Sequence, residues 1–443
     1  MKICVIGTGY VGLVAGACLA DMGNSVICVD NNEEKLNQLK KGIIPIYEPG
    51  LEELVKNNYE KKLLEFSSDI DYAVKQSKIC FIAVGTPQDK DGSADLKYVE
   101  SVANSIAKSM NEYKIIVNKS TVPPGTADRV SEIIKAGTDY PFDIVSNPEF
   151  LKQGNAVEDF LRPDRIIIGS NSQNALKIMQ ELYAPFFRTG NRIITMDIKS
   201  AEMTKYASNC FLATKISFMN EIANLCEKIG ANAENVRIGM SSDSRIGNKF
   251  LFPGLGYGGS CFPKDVKALI KTGLENGCDM KIIKAVDERN QKQRLDFTDK
   301  VLKYFNNDLK NKTLAVWGLA FKPKTNDMRE APAITIINKL LEYNAKIQAY
   351  DPKAIDSAKL HFKDKITYAN TSYEALNNAD ALLLLTEWNE FRLPDFDKIK
   401  SALKNPVIFD GRNQYNTEEM KEYGFKYFCI GKKNDCEENN VKQ

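Results

Sequence analysis

The sequence predicts an α/β protein: two doubly wound parallel-sheet domains joined by a central long helix and helical region. Three observations predict it. Short apolar runs alternate with helical patterns over residues 1–197, the stretch between Gly190 and Gly230 contains neither Gly nor Pro, and a second alternation begins at Thr313.

Strands of the first sheet are expected at residues 2–6, 26–29, 79–84, 115–118, 144–146 and 165–169. The middle stretch then sets Met203, Tyr206, Cys210, Ile216, Met219, Ala223 and Cys226 at helical intervals. About 30 helical residues there would span about 45 Å. Phe211, Leu212, Phe218 and Ile222 fall on neighbouring faces, more apolar surface than one small domain covers, which points to a homodimer through this helix. Strands of the second sheet are expected at residues 313–317, 346–350, 381–385 and 407–409. The domains so drawn are 1–198, 199–305 and 306–443. Residues 431–443 are polar and aperiodic and are expected to fray.

Composition narrows the function. Among 443 residues, Lys plus Arg number 60 against 58 for Asp plus Glu, a formal charge of +2, so no nucleic-acid surface is expected. Residues 1–20 are apolar enough to imitate a secretory segment, but Gly7, Gly9, Gly12 and Gly16 interrupt them and Asp21 closes them. No later run has the length of a membrane span. The ten cysteines lack metal or disulfide spacing, as suits a reducing compartment. A soluble cytoplasmic protein with no metal and no membrane is expected.

The first apolar run leads into Gly7-Thr8-Gly9-Tyr10-Val11-Gly12, then a helix, then a strand ending at Asp30. Strand, glycine turn, helix, strand and acid in that order are the Rossmann-like signature of a dinucleotide site. Gly7 permits the tight turn, Gly9 lets the backbone approach a pyrophosphate, and Gly12 lets helix and strand pack closely. Free N–H groups at the helix start meet the negative charge. Asp30 would accept hydrogen bonds from the adenosine ribose and favours NAD over NADP, with Lys35 close enough to bear on that choice. A glycine-rich turn that holds nothing is the bland alternative. The second lobe's Gly318-Leu319-Ala320 lacks the glycine pattern, so no second NAD is expected there.

A second segment, Gly258-Gly259-Ser260-Cys261-Phe262-Pro263-Lys264-Asp265, precedes a helical pattern, with Pro263 suited to the first helical turn. Cys261 would lie at that helix's N-terminus beside Lys264, where dipole and cation favour thiolate. It is either a nucleophile or a small residue tucked against a glycine turn. Beside a nicotinamide, such a thiol can carry an aldehyde on to an acid through a thiohemiacetal and a thioester. The single histidine, His361, sits in a polar stretch of the second lobe, so proton transfer falls to Lys, Asp, Glu or water. Lys205 and Asn209, spaced i, i+4, share a helix face and could hold an alkoxide, or be ordinary surface.

Further motifs stand in order between these: Pro45-Ile46-Tyr47-Glu48-Pro49-Gly50, Gly85-Thr86-Pro87, Ser120-Thr121-Val122-Pro123-Pro124-Gly125, Asn147-Pro148-Glu149-Phe150-Leu151, Arg245-Ile246-Gly247-Asn248, Phe321-Lys322, Asp327-Met328-Arg329-Glu330, Thr386-Glu387-Trp388 and Asp410-Gly411-Arg412. Over nearly its whole length the chain resembles the nucleotide-sugar dehydrogenase family, whose members make two successive oxidations, and in particular its bacterial members acting on UDP-glucose. The resemblance implies an amino-terminal NAD domain, a central dimer-forming region and a carboxy-terminal domain that grips the UDP. It implies that Cys261 is the covalent nucleophile, that Lys205 and Asn209 stabilise oxyanions, that Asp265 with Thr121 positions a water for proton removal, and that Glu149 helps hydrolyse the thioester. On the same basis Tyr10, Val11, Thr86, Thr121, Lys264 and Arg329 join the glycine turn, Asp30 and Lys35 in serving NAD. Glu149, Phe150, Leu151, Lys205 and Asn209 would meet the sugar, and Phe252, Leu255, Tyr257, Gly258, Lys322 and Arg412 the nucleotide sugar, with Arg245 reaching into the partner subunit's site. The family often has a second Glu where this chain has Gln153, and glutamine cannot exchange a proton as a carboxylate does. The implied reaction takes UDP-glucose to UDP-glucuronate with two NADH. A GDP-mannose 6-dehydrogenase, or a non-catalytic NAD-sensing protein on the same fold, are the alternatives.

Overall fold

The computed structural model describes residues 1–89, 91–187 and 192–433. It divides into two compact units, Met1–Ser208 with Lys271–Asn276, and Asn209–Ile270 with Gly277–Gln443.

In the first unit, β1 (Lys2–Ile6), β2 (Ser25–Val29), β3 (Leu64–Ser67), β4 (Ile79–Ile82), β5 (Lys114–Asn118), β6 (Phe142–Ser146), β7 (Ile166–Gly169) and β8 (Ile193–Met196) form one sheet. Its order is β3-β2-β1-β4-β5-β6-β7-β8, so the direction of growth reverses between β1 and β4. Ligands of such sheets gather beyond the carboxyl ends of the strands at that reversal. Successive side chains of β1 enter opposite layers: Ile3 and Val5 pack with Cys28 and Phe81 on one face, Cys4 and Ile6 with Ile27 and Cys80 on the other. Both faces are covered, which is why these strands read as unbroken apolar runs. From β3 to β6 the pairing is parallel, but β7 meets β6 antiparallel through Ser146 and Gly169. The short helix Ala156–Leu161 between them does not carry the chain back across the sheet, so β7 enters from the end at which β6 leaves.

The second unit holds β9 (Thr313–Trp317), β10 (Lys346–Tyr350), β11 (Thr367–Tyr368), β12 (Ala381–Leu384), β13 (Val407–Asp410) and β14 (Lys426–Phe428) in the order β11-β10-β9-β12-β13-β14, parallel throughout. Four strands escaped the sequence reading: β3, β8, β11 and β14. They are the four edges of the two sheets. β3, β11 and β14 include polar residues and so show no continuous apolar run, and β8, Ile193–Met196, though mostly apolar, is partly exposed.

The expected long helix is Ile198–Ile229. Phe211, Phe218 and Leu225, seven residues apart, are 65%, 45% and 52% exposed. No helix among the described residues is long and apolar enough to cross a membrane. The expected fraying does not begin at Gly431, which is buried: its N–H donates to Glu227 at 2.7 Å and its carbonyl accepts from Ala233 N–H at 2.8 Å. The rest of that expectation, residues 434–443, lies outside the described residues.

Candidate active site

The chain leaves β1 through Gly7, whose φ of +102° and Cβ position, 2.8 Å from the Ala83 carbonyl oxygen, admit only glycine. A Cβ on Gly12 would stand 1.8 Å from the Gly7 carbonyl oxygen, whereas one on Gly9 would meet nothing within 4 Å. The helix Tyr10–Asp21 that follows has no side-chain cap and no acid in its first turn. Open space at Gly9 before uncapped N–H groups therefore fits a pyrophosphate. Val11 lies in that first turn.

Asp30, at the end of β2, accepts from the Thr8 hydroxyl at 2.6 Å, Thr8 N–H at 3.0 Å, Lys35 Nζ at 2.9 Å and Asn32 N–H at 3.1 Å. Burial opposes its ionisation, but the Thr8 hydroxyl, Lys35 and the two backbone bonds prevail and hold the carboxyl at about 2. Lys35 is committed to Asp30, which favours a cofactor without a 2′-phosphate. Tyr10 serves the protein: its hydroxyl bonds Glu48, whose carboxylate accepts Gly154 N–H at 2.6 Å and Ala156 N–H at 2.8 Å. Thr86 donates to the Thr121 carbonyl at 2.8 Å, tying together the loops after β4 and β5.

The loop after β6 carries Glu149, whose Oε2 accepts Leu151 N–H at 2.6 Å and whose Oε1 lies 3.1 Å from Lys205 Nζ. The Phe150 ring lies under both Arg165, at 3.7 Å, and Lys205, at 5.2 Å. Glu149 and Lys205, both buried, thus form one cluster in the first unit with the half-buried Phe150 and Leu151.

In the second unit Cys261 immediately precedes the helix Phe262–Glu275, and its carbonyl accepts Asp265 N–H at 2.8 Å. It is half-buried, whereas Cys4, Cys18, Cys28, Cys80, Cys210, Cys226 and Cys429 are buried and Cys278 is exposed. Burial pushes the Cys28 and Cys210 thiols up to about 12, with the Asp265 charge adding at Cys210. Two cations stand near this segment of the chain. Lys264 is bound to Asp265 at 2.9 Å, while Arg329, paired with Asp327 at 2.6 Å, interacts electrostatically with Cys261. Asn209 donates to the other Asp265 oxygen at 2.6 Å.

A cavity of about 540 Å³ in the same unit is lined by Phe250, Phe252, Gly254, Glu387, Arg392 and Arg412, among others. Arg412 donates to the carbonyls of Leu385 at 2.7 Å and Phe321 at 3.2 Å. The Lys322 ammonium lies 5.5 Å from the Phe321 ring centre. Leu255 and Tyr257 are buried, Leu255 within the sheet core. Gly258 is pressed against the Glu330 carbonyl, 2.3 Å from where a Cβ would stand. Arg245 is exposed and bidentate to Asp243. At the end of β10, Asp351 occupies the place Asp30 holds in the first sheet, and its Oδ2 accepts Leu319 N–H at 2.7 Å and Ala320 N–H at 3.0 Å from the loop after β9. Among the described residues no His, Cys, Asp or Glu group is arranged to hold a metal.

Sequence reasoning missed the residues that hold the loop leading to Cys261. On the helix Lys281–Tyr304, Asn290 clasps both backbone groups of Tyr257 at 2.8 and 3.1 Å, Gln293 donates to the Gly254 carbonyl at 2.9 Å, and Arg294 to the Tyr257 carbonyl at 2.8 Å. Asn220 on the long helix accepts Gly254 N–H at 2.8 Å. Their signal was polar residues at helical spacing beside Phe297 and Val301.

Three family models cover most of the chain: the NAD binding domain of the UDP-glucose/GDP-mannose dehydrogenase family over residues 1–187, its central domain over 199–292 and its UDP binding domain over 315–417. The UDP-glucose 6-dehydrogenase TuaD of Bacillus subtilis is 49% identical over 433 residues, 97% of this chain and 93% of that one. The UDP-glucose 6-dehydrogenase of Pseudomonas aeruginosa is 46% identical over 98% of both. A solved UDP-glucose dehydrogenase from Pyrobaculum islandicum superposes with a TM-score of 0.89 at 35% identity, covering 96% of each chain.

Proposed function

The chain belongs to the UDP-glucose/GDP-mannose dehydrogenase family, and from that premise we propose that it oxidises UDP-glucose twice at carbon six to UDP-glucuronate. One alcohol, two NAD and one water give one carboxylate, two NADH and three protons. The observation that carries the reading is Cys261, a half-buried thiol at a helix N-terminus within the electrostatic reach of Arg329.

NAD bound at the glycine turn supplies the hydride acceptor for each oxidation. Asp265, fixed by Asn209 and Lys264, orients the water that takes the alcohol proton, and Thr121 is assigned to the same step. The Lys205 ammonium offsets charge on the substrate oxygen, with Asn209 as its amide partner. Cys261 sulfur adds to the aldehyde carbon to form a thiohemiacetal, which retains the reactive intermediate, and the second oxidation makes it a thioester. Water then displaces the sulfur while Glu149 accepts a proton, returning Cys261. Gln153 cannot take that proton, so Glu149 carries this step.

The UDP is assigned to the cavity bearing Phe252 and Arg412, with Lys322 nearby, and Arg245 to the partner subunit's site. The functional division is 1–198 for NAD, 199–305 for dimerisation and 306–443 for UDP. A homodimer is supported by the exposed Phe211, Phe218 and Leu225 on the long helix, and a cytoplasmic location by nine described cysteines, all free.

The test is to supply NAD with UDP-glucose or GDP-mannose and count NADH per sugar consumed. Two per UDP-glucose supports the reading. Two per GDP-mannose moves the substrate, one per sugar gives a simple alcohol dehydrogenase, and none with either sugar leaves an NAD-sensing protein.

A further inference from the structure

Behind the Glu149–Lys205 pair lies a second cation with no assigned task. Lys119, the residue after β5, is 3% exposed. Among the described residues it has no carboxylate at ion-pair distance. Its Nζ donates to Asn147 Oδ1 at 3.1 Å and the Asn147 carbonyl at 3.4 Å, and stands 5.6 and 6.0 Å from the ring centres of Phe160 and Tyr183. Asn147 is fixed on its other sides, accepting the Tyr183 hydroxyl at 2.5 Å and donating to the Ile167 carbonyl at 2.8 Å. Burying a charge this deeply is costly unless other groups compensate it. Two carbonyl oxygens and two ring faces compensate it locally, but none of them cancels its charge.

That uncancelled charge is felt next door. Burial lowers the Lys119 ammonium to about 8, Glu149 opposes the shift and Lys205 adds to it. The charged or titratable groups around it are thus Glu149 from the loop after β6, Lys205 from the long helix and the Tyr183 phenol, itself held neutral by burial. Two cations share one carboxylate, and the cation outside the pair grips the residue two places before that carboxylate.

We propose that Lys119 is a positioning residue for the Glu149–Lys205 pair: through Asn147 it fixes the turn that presents Glu149, the base of thioester hydrolysis, and it sets a second positive charge beside that carboxylate. This rests on the role proposed above for Glu149.

The test compares Lys119→Met and Asn147→Asp, the second placing a neutralising carboxylate against the same ammonium with almost no change of shape. In both, the acid limb of the kcat–pH profile should move up by about one pH unit, because loss of a nearby positive charge makes a carboxylate harder to ionise. For Lys119→Met, kcat near neutral pH should fall about tenfold or more, with the KM for NAD changed less than about threefold. A residue that only packs would lower thermal stability and leave the limb in place. Should Lys119→Met fail to fold, Asn147→Asp alone decides. Glu149→Gln, run in parallel, separates the two claims: if it accumulates no thioester, the role of Glu149 and this proposal fall together. If it does, and the acid limb stays in place in the folded variants, the proposal alone is overturned.

Discussion

The ammonium of Lys205 stands 3.1 Å from Oε1 of Glu149, and the two residues are only 3% and 6% exposed. A pair so buried is hard to break from one side, since the remaining charge loses its counterion in a medium that solvates it poorly.

Glu149→Gln keeps the shape and removes the charge. The variant is expected to complete both oxidations once, releasing about two NADH per site in a burst, and then to stall with the sugar held on Cys261. Rapid-quench mass measurement of the intact chain detects the adduct. Unchanged steady turnover contradicts the role given to Glu149.

The glycine turn separates a folding requirement from a binding one. At Gly9, φ is −68° and a Cβ meets nothing within 4 Å, so Gly9→Ala should fold with its Tm within about 2 °C of the parent. Its methyl would occupy the space assigned to the pyrophosphate, so the Kd for NADH, read by fluorescence, should rise about tenfold or more. Gly12→Ala forces a Cβ to 1.8 Å from a backbone oxygen and should lose stability first. The reverse pattern would remove the pyrophosphate from this turn.

Glu202 gives the fold a pH dependence. Its buried carboxylate accepts Gly125 N–H at 2.7 Å and Ala127 N–H at 2.9 Å, joining the long helix to the loop that carries Thr121. Burial pushes its carboxyl up to about 7 against those bonds and Lys199, with Asp128 adding to the rise. The folded value exceeds the unfolded one near 4.3, so the native state binds the proton more tightly and stability falls as pH rises between them, by about 4 kcal/mol in all. Glu202→Gln lacks this titration. Its Tm relative to the parent should climb from pH 4.5 to 7.5 and level off above, and a constant difference across that range contradicts the assignment.

Asn290 is fully buried and clasps Tyr257 four residues before Cys261. Asn290→Ala leaves a buried N–H and carbonyl with fewer partners, at a cost of about 1–3 kcal/mol. Urea unfolding should show that loss, and kcat should fall more than the NAD affinity, because the thiol loop moves while the glycine turn, in the other unit, does not. An equal loss of both contradicts a loop-holding role.

What the sequence discloses follows from burial. Inner strands such as β1 and β4 are covered on both faces and so carry a continuous apolar signature, whereas β3, β8, β11 and β14 lie at the sheet edges and are partly polar or partly exposed. The glycine turn was legible because Gly7, Gly9 and Gly12 fall within six residues directly after an apolar strand. Cys261 was legible because Pro263 marks a helix start, but the contribution of Arg329 was not, since it comes from far along the chain. Lys119, Asn290 and Arg294 stayed hidden for a related reason. A buried polar residue looks like surface until the fold supplies the backbone groups it satisfies.

The most direct measurement is the product balance of Cys261→Ser with UDP-glucose and NAD. The parent should yield two NADH and one UDP-glucuronate per sugar, and the variant, bound normally to NAD, should no longer complete the conversion to the acid. A variant that still delivers two NADH and one UDP-glucuronate per sugar at the parent's rate would show that the sulfur only fills space.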